Sequence, residues 1–207
     1  SPIEIGESGQ VKEWYNETEL NSVSDTRRHR HLSNLLGLYP GSLFDTEEKL
    51  SAAEVSLLNK KFGHTGTKIS PEGGWTYAQL MGSWARVHSS ENAYFSLNRM
   101  IKERLYPNLW DFHRFGEYGA FQIDANLGYS AAVGEMLLQS HLGYVELLPA
   151  LPDEWRNGEF SGLLARNGFE ISAKWSECKI SAATVHSHNG AVFSVKAPGG
   201  LRVENSK

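Results

Sequence analysis

The 207 residues contain a single cysteine, Cys178, which excludes an internal disulfide and any cysteine-rich zinc site. Its place in an alternating apolar stretch suits a small core or surface residue. No stretch approaches the roughly 20 consecutive apolar residues that a membrane-spanning helix needs, and no charged-then-apolar leader opens the chain, so no membrane partner is expected. Charge of one sign is also lacking. Lys and Arg total 20 against 24 Asp and Glu, a formal net charge of -4, so no phosphate-binding surface is indicated and no nucleic acid partner is expected. A phosphate-cradling Gly-rich loop with its Lys, a Gly-x-Ser-x-Gly elbow and a His-Glu-x-x-His pair are all missing. Nucleotide, serine-hydrolase and zinc-protease chemistry therefore lose their usual support, and neither a cofactor nor a metal is expected.

An apolar share of 40% is ordinary for a chain that buries a core, and 207 residues suit one large domain or two small ones. Trp, Tyr and Phe reach 11%, and such rings suit carbohydrate because the C–H face of a sugar packs on an aromatic plane. The first residue is Ser rather than Met, inside an ordered-looking stretch, so an upstream region is expected.

Residues 1–143 are expected to be mainly helical. Thr46 to Lys61 opens on an Asp/Thr capping signal and continues with Leu50, Ala53, Val55, Leu57 and Leu58 on one broad apolar face. Trp75 to Val87 and Ala93 to Arg104 predict two helices joined by a short polar link, which is the pattern of an antiparallel hairpin. Tyr129 to Gln139, rich in Ala, Met and Leu, predicts a buried helix. Helices paired by short links suggest a toroid or bundle. From residue 144 to 207 the period changes to two: Val145–Leu148, Leu163–Arg166, Phe169–Trp175, Lys179–Val185 and Val192–Val195 predict strands of a small antiparallel sheet. Pro149-Ala150-Leu151-Pro152 makes a stiff connector between the two parts. The expected fold class is α+β.

Phe121-Gln122-Ile123-Asp124 precedes Ala125-Asn126-Leu127-Gly128 and a buried helix. Asp124 there suits either a helix cap or a carboxylate presented to a ligand, and Asp111, His113, Arg114 and Glu117 keep it company in one loop. Arg27-Arg28-His29-Arg30-His31 is either a solvated charged face or, since Leu35-Leu36-Gly37-Leu38 follows, partly inward-pointing and in need of acceptors such as sugar hydroxyls. His29 and His31, one residue apart with no carboxylate pair, make a poor metal set. Gly6 to Tyr15 and Gly73-Gly74-Trp75 place rings beside helix starts, where pocket wall and structural staple are both open. Asn16-Glu17-Thr18 fits a glycosylation sequon too short to carry weight.

Taken in order, Pro2–Gly6 with Gly9–Trp14, His29-Arg30-His31-Leu32-Ser33 with Gly37–Pro40, Trp84-Ala85-Arg86, Phe121–Asp124, Glu135–Ser140 and Leu147–Pro152 resemble glycoside hydrolase family 95, the inverting 1,2-α-L-fucosidases. The resemblance spans nearly the whole chain. It implies that residues 1–143 are the C-terminal part of an (α/α)6 catalytic barrel and residues 144–207 a C-terminal β domain. It implies that Asp124 is the catalytic base, that Arg30 and His31 hold the fucose, and that His113 precedes the base in its loop. The expected partner is a fucosylated oligosaccharide or glycan. The family's general acid, a Glu in a Ser-Pro-Glu tag, and its water-activating Asn pair belong upstream of Gly6; Ser70-Pro71-Glu72 stands in the wrong order to replace that tag. The chain alone is therefore expected not to turn over, and its uncovered helix faces are expected to favour self-association or the missing N-terminal half. Departures from the family pattern are Asn34, Ala125 and a longer loop over Arg114–Ala120. They leave open an α-L-galactosidase, which differs in substrate by one hydroxyl at C6, or a glycan-binding module without catalysis. A phosphorylase on the same scaffold is a weaker reading. Family members include secreted and surface-held bacterial enzymes, and the compartment stays unassigned.

Overall fold

The computed structural model describes residues 3–14, 16, 31–59, 73–115 and 118–198. Among them are four α-helices, followed and interrupted by short strands. Helix α1 (Glu47–Asn59) starts where the sequence predicts: Thr46 Oγ1 accepts the Lys49 N–H, and Glu47 and Glu48 lie against the positive end of the helix dipole. Helices α2 (Gly74–Arg86) and α3 (Ser90–Arg104) form the expected hairpin, with His88 in the left-handed region (φ 60°) at the reversal. Nearly every residue of α2 is buried, and Trp84 at 0% exposure is at the centre of a core that includes Leu35, Leu57, Leu80, Met81, Ala132 and Met136.

Helix α4 (Ile123–Leu137) begins six residues before the predicted Tyr129, because Ile123 and Leu127 are 60% and 65% exposed and so break the buried face that the apolar pattern seeks. It lies parallel to α2. Gly74 faces Ala125, Gly128 meets Ala78, and Arg86 reaches Glu135, so both helices open at the same end of the molecule. The backbones approach closely there: a Cβ on Gly128 would stand 2.9 Å from the Ala78 Cβ.

The loop after α3 holds an antiparallel hairpin, β1 (His113–Phe115) and β2 (Tyr118–Ala120), where the sequence shows only an irregular loop. Beyond α4 come β3 (Leu138–Gln139), β4 (Val145–Leu147), β5 (Gly158–Ala165), β6 (Phe169–Ser176), β7 (Lys179–Ser187) and β8 (Val195–Lys196). Strands β5, β6 and β7 form an antiparallel meander, while β4 sits between β3, antiparallel, and β8, parallel. Alternation is clearest in β6, where Phe169, Ile171, Ala173 and Trp175 are buried and Lys174 and Ser176 are exposed. A second core gathers Leu138, Val145, Leu147, Ala165, Phe169 and Ile171. The molecule is thus α+β, helices first and strands second. No helix among the described residues is long and apolar enough to cross a membrane.

Candidate active site

The shared open end of α2 and α4 carries Asp124 and Trp75, with His31 stacked on the latter. Asp124 lies in the first turn of α4, exposed, and its carboxylate accepts no hydrogen bond among the described residues. It does not cap the helix: the N-cap position belongs to Gln122, which makes no side-chain capping bond. Gln122 leans toward the opening of α2, and its Oε1 would stand 2.9 Å from a Cβ placed on Gly73. Trp75, one residue into α2, stacks on His31 with ring centroids 4.9 Å apart and planes at 29°. An imidazole, an indole and a carboxylate therefore all belong to the paired starts of α2 and α4. His113 is half-buried in β1, on the hairpin that leads into Phe121 and Gln122. Arg30, with the neighbouring His29, lies outside the described residues.

Two residues of this mouth are not single candidates in the sequence. Asn126, one position past Ala125 on α4, accepts the Asp111 N–H at 2.8 Å through Oδ1 and donates through Nδ2 to the Leu109 carbonyl at 2.7 Å, so it fastens the preceding loop to the helix of Asp124. Asp111 itself is completely buried, and neither carboxylate oxygen finds a hydrogen-bond partner among the described residues. Burial, and next the charge of Asp124, raise its pKa from 3.8 to about 6, against a smaller pull from Arg104. The only sequence signal for either was the density of polar residues in one loop.

The remaining tags turn out to be fastenings. Ser33 donates to Glu13, Asn34 Nδ2 donates to the Val11 carbonyl at 3.0 Å, and the Val11 N–H reaches buried Ser56 of α1 at 2.8 Å, so the first two tags are stitched to each other and to a helix. Arg86 binds both Glu135 oxygens, at 2.6 and 2.9 Å, and the Gly41 carbonyl at 2.9 Å. A pocket of about 200 Å³, lined by Arg86, Glu135, Ser140, His141, Leu164 and Arg166, lies at the far end of α4. At 1.5 Å rise per residue it is about 16 Å from Asp124, too far to serve that carboxylate. Among the described residues no three His, Cys, Asp or Glu side chains gather as a metal site.

His141 in that pocket has its pKa lowered from 6.5 to about 4, by burial first and then by the Arg86 and Arg166 guanidiniums. Between those values the unfolded chain holds a proton that the native His141 does not, so this residue's contribution is lost as pH falls from 6.5 to 4. Asp111 acts oppositely. From pH 3.8 to 6 the native carboxyl keeps a proton that the unfolded one has released, so stability is lost as pH rises. The two slopes oppose each other over much of the same range. Replacing His141 by Gln is expected to leave the Asp111 slope unopposed: between about pH 4.5 and 7 the urea midpoint of the variant falls, relative to that of the parent chain, as pH rises.

Comparison with known proteins places the chain in a family. The model of the Glycosyl hydrolase family 95 catalytic domain matches residues 1–137, and that of the Glycoside hydrolase family 95 C-terminal domain matches residues 139–207. The chain is thus of the glycoside hydrolase class, and it belongs to glycoside hydrolase family 95. It is 40% identical over 186 residues to Alpha-L-fucosidase 2 of Arabidopsis thaliana, an alignment covering 85% of this chain and 21% of that protein. It is 31% identical over 216 residues to Probable alpha-fucosidase A of Aspergillus oryzae, covering 97% of this chain and 30% of the relative. The chain thus spans less than a third of the length of these curated relatives.

Proposed function

We propose that this chain is a segment of an inverting exo-glycosidase that releases terminal α-1,2-linked L-fucose from glycans, with Asp124 as the base. The observation that carries the reading is an exposed carboxylate with no hydrogen bond among the described residues, set in the first turn of α4, the helix paired with the one that opens on Trp75 and its stacking partner His31. In inverting hydrolysis a carboxylic acid protonates the leaving oxygen while a carboxylate on the opposite face deprotonates water, the two being roughly 6.5–9.5 Å apart. Asp124 suits the second role. The Trp75 ring offers a face for the C–H side of the sugar, His31 and Arg30 offer donors for its hydroxyls, and His113 stands on the hairpin before the base. Residues 1–143 act as the C-terminal part of the catalytic barrel, with residues 144–207 as its β domain.

The acid is supplied from outside these residues, so the 207-residue chain has no turnover of its own. Release of fucose from a fucosyl-α-1,2-galactoside, followed by NMR for the anomer formed, tests this. A longer polypeptide that includes this segment and a Ser-Pro-Glu tag is expected to release the inverted β-anomer, and the 207 residues alone are expected to release none. Appreciable turnover by the short chain refutes the assignment of the acid. The hairpin that begins at His113 departs from the family pattern and keeps one other substrate in view, the α-L-galactoside, which differs from the fucoside by one hydroxyl at C6. Comparing kcat/KM for the two glycosides decides it. Calorimetry with fucosylated oligosaccharides, on the chain and on Asp124→Asn, separates a pure binding module from a hydrolase segment.

A further inference from the structure

We propose that Asp111 is a positioning residue for Asp124, a second carboxyl sealed behind the exposed one and coupled to it by charge across the joined openings of α2 and α4. The inference rests on the reading of Asp124 as the base.

The geometry is unusual for a carboxylate. Asp111 is held from both sides of its backbone: it bridges antiparallel to Leu105, its N–H goes to Asn126, and the Phe112 N–H goes to the Arg104 carbonyl at 3.0 Å. This drives the side chain inward onto the first residue of α2. A Cβ on Gly74 would fall 1.8 Å from Asp111 Oδ1, so only glycine admits the carboxyl there. Once inside, the group has 0% exposure and no hydrogen bond from a described residue, although buried carboxylates are ordinarily bonded. A merely structural role at this point would be served better by Asn, which is neutral and can donate.

Among the described residues, Asp124 comes from α4, Arg104 from the end of α3, and along its own segment His113 follows two residues later; the opening of α2 presents Gly73, Gly74, Trp75 and Thr76, none of them charged, with His31 stacked on Trp75 and Tyr77 packed with Ala125. Burial and Asp124 outweigh Arg104, so Asp111 titrates at about 6. Two carboxyls that interact in this way load protons as a pair, and a negative neighbour makes proton uptake by the other more favourable. Taking a proton from water is the step assigned to Asp124. Asp111 touches no substrate and acts only through that neighbour.

Carbon-detected NMR titration of the aspartate carboxyls in the 207-residue chain tests the coupling without any substrate. In the parent chain one carboxyl is expected to titrate near 6, and Asp111→Asn removes that step and so assigns it. In Asp124→Asn, an exchange at an exposed site that leaves the fold intact, the Asp111 midpoint is expected to fall by about half a unit or more. An Asp111 midpoint that stays in place when Asp124 is neutralised overturns the proposal, as does an Asp111 that titrates in the ordinary carboxyl range. Should Asp111→Asn fail to fold, the Asp124→Asn comparison still decides. Because no turnover is read, a negative result here leaves the assignment of the base to the hydrolysis assay, and a failed assay leaves the coupling standing.

Discussion

In a longer polypeptide that contains this segment together with the family's general acid, Asp124→Asn is expected to lower kcat on a fucosyl-α-1,2-galactoside by about 10³-fold while KM changes little. The exchange keeps the size of the side chain and removes its charge together with its capacity to accept a proton. Because Asp124 is exposed, holds no hydrogen bond among the described residues and does not cap α4, folding should shift by no more than about 0.5 kcal/mol. Loss of rate without loss of stability is the signature of a chemical role. Steady-state kinetics beside urea melts checks both halves, and a variant that keeps kcat within tenfold of the parent removes Asp124 from the mechanism.

The largest structural effect is expected at the opposite end of the same helix. Arg86 is 4% exposed and its guanidinium is divided among both oxygens of Glu135 and the carbonyls of Leu38 and Gly41, with the Tyr39 ring 5.6 Å away. Glu135→Ala leaves that cation buried and short of its anion, which costs about 3–5 kcal/mol, whereas replacing both partners by apolar residues of similar volume costs much less. Urea denaturation of Glu135→Ala, Arg86→Met and the double Arg86→Met/Glu135→Leu variant reads this. A single Glu135→Ala change that costs under about 1 kcal/mol would show the pair to be a bystander.

These two residues illustrate how far the sequence could be read. Helices α1, α2 and α3 were legible because capping signals, apolar spacing and a short polar link agreed. Helix α4 was located but started late, since Ile123 and Leu127 point outward and Gln122 gives no capping signal. The β1–β2 hairpin was hidden, as strands of three residues are too short for alternation to show. The last strand was displaced for the opposite reason: Val192 is apolar yet 93% exposed, and pairing begins only at Val195. Of the candidate site residues, Asp124, Arg30, His31 and His113 came from the resemblance, while the stacking of Trp75 on His31 and the interior placement of Asp111 depend on contacts between segments far apart in the chain. Some tags that made the family recognisable, such as Arg86 with Glu135, hold the fold together at the far end of α4 from Asp124, and Asn34, a departure from the family pattern, fastens Val11.

Helix α4 passes into β3 with no residue between Leu137 and Leu138, and the joint is riveted by Leu148 N–H to the Leu137 carbonyl at 2.8 Å and Ala150 N–H to the Met136 carbonyl at 3.2 Å. Splicing the rear portion of one relative onto the front of another at that joint would put the donor and acceptor of each bond on segments from different parents. A crossover upstream of Ile123 keeps helix, rivets and strands as one cassette, and chimeras joined there should express where those joined at residue 138 precipitate.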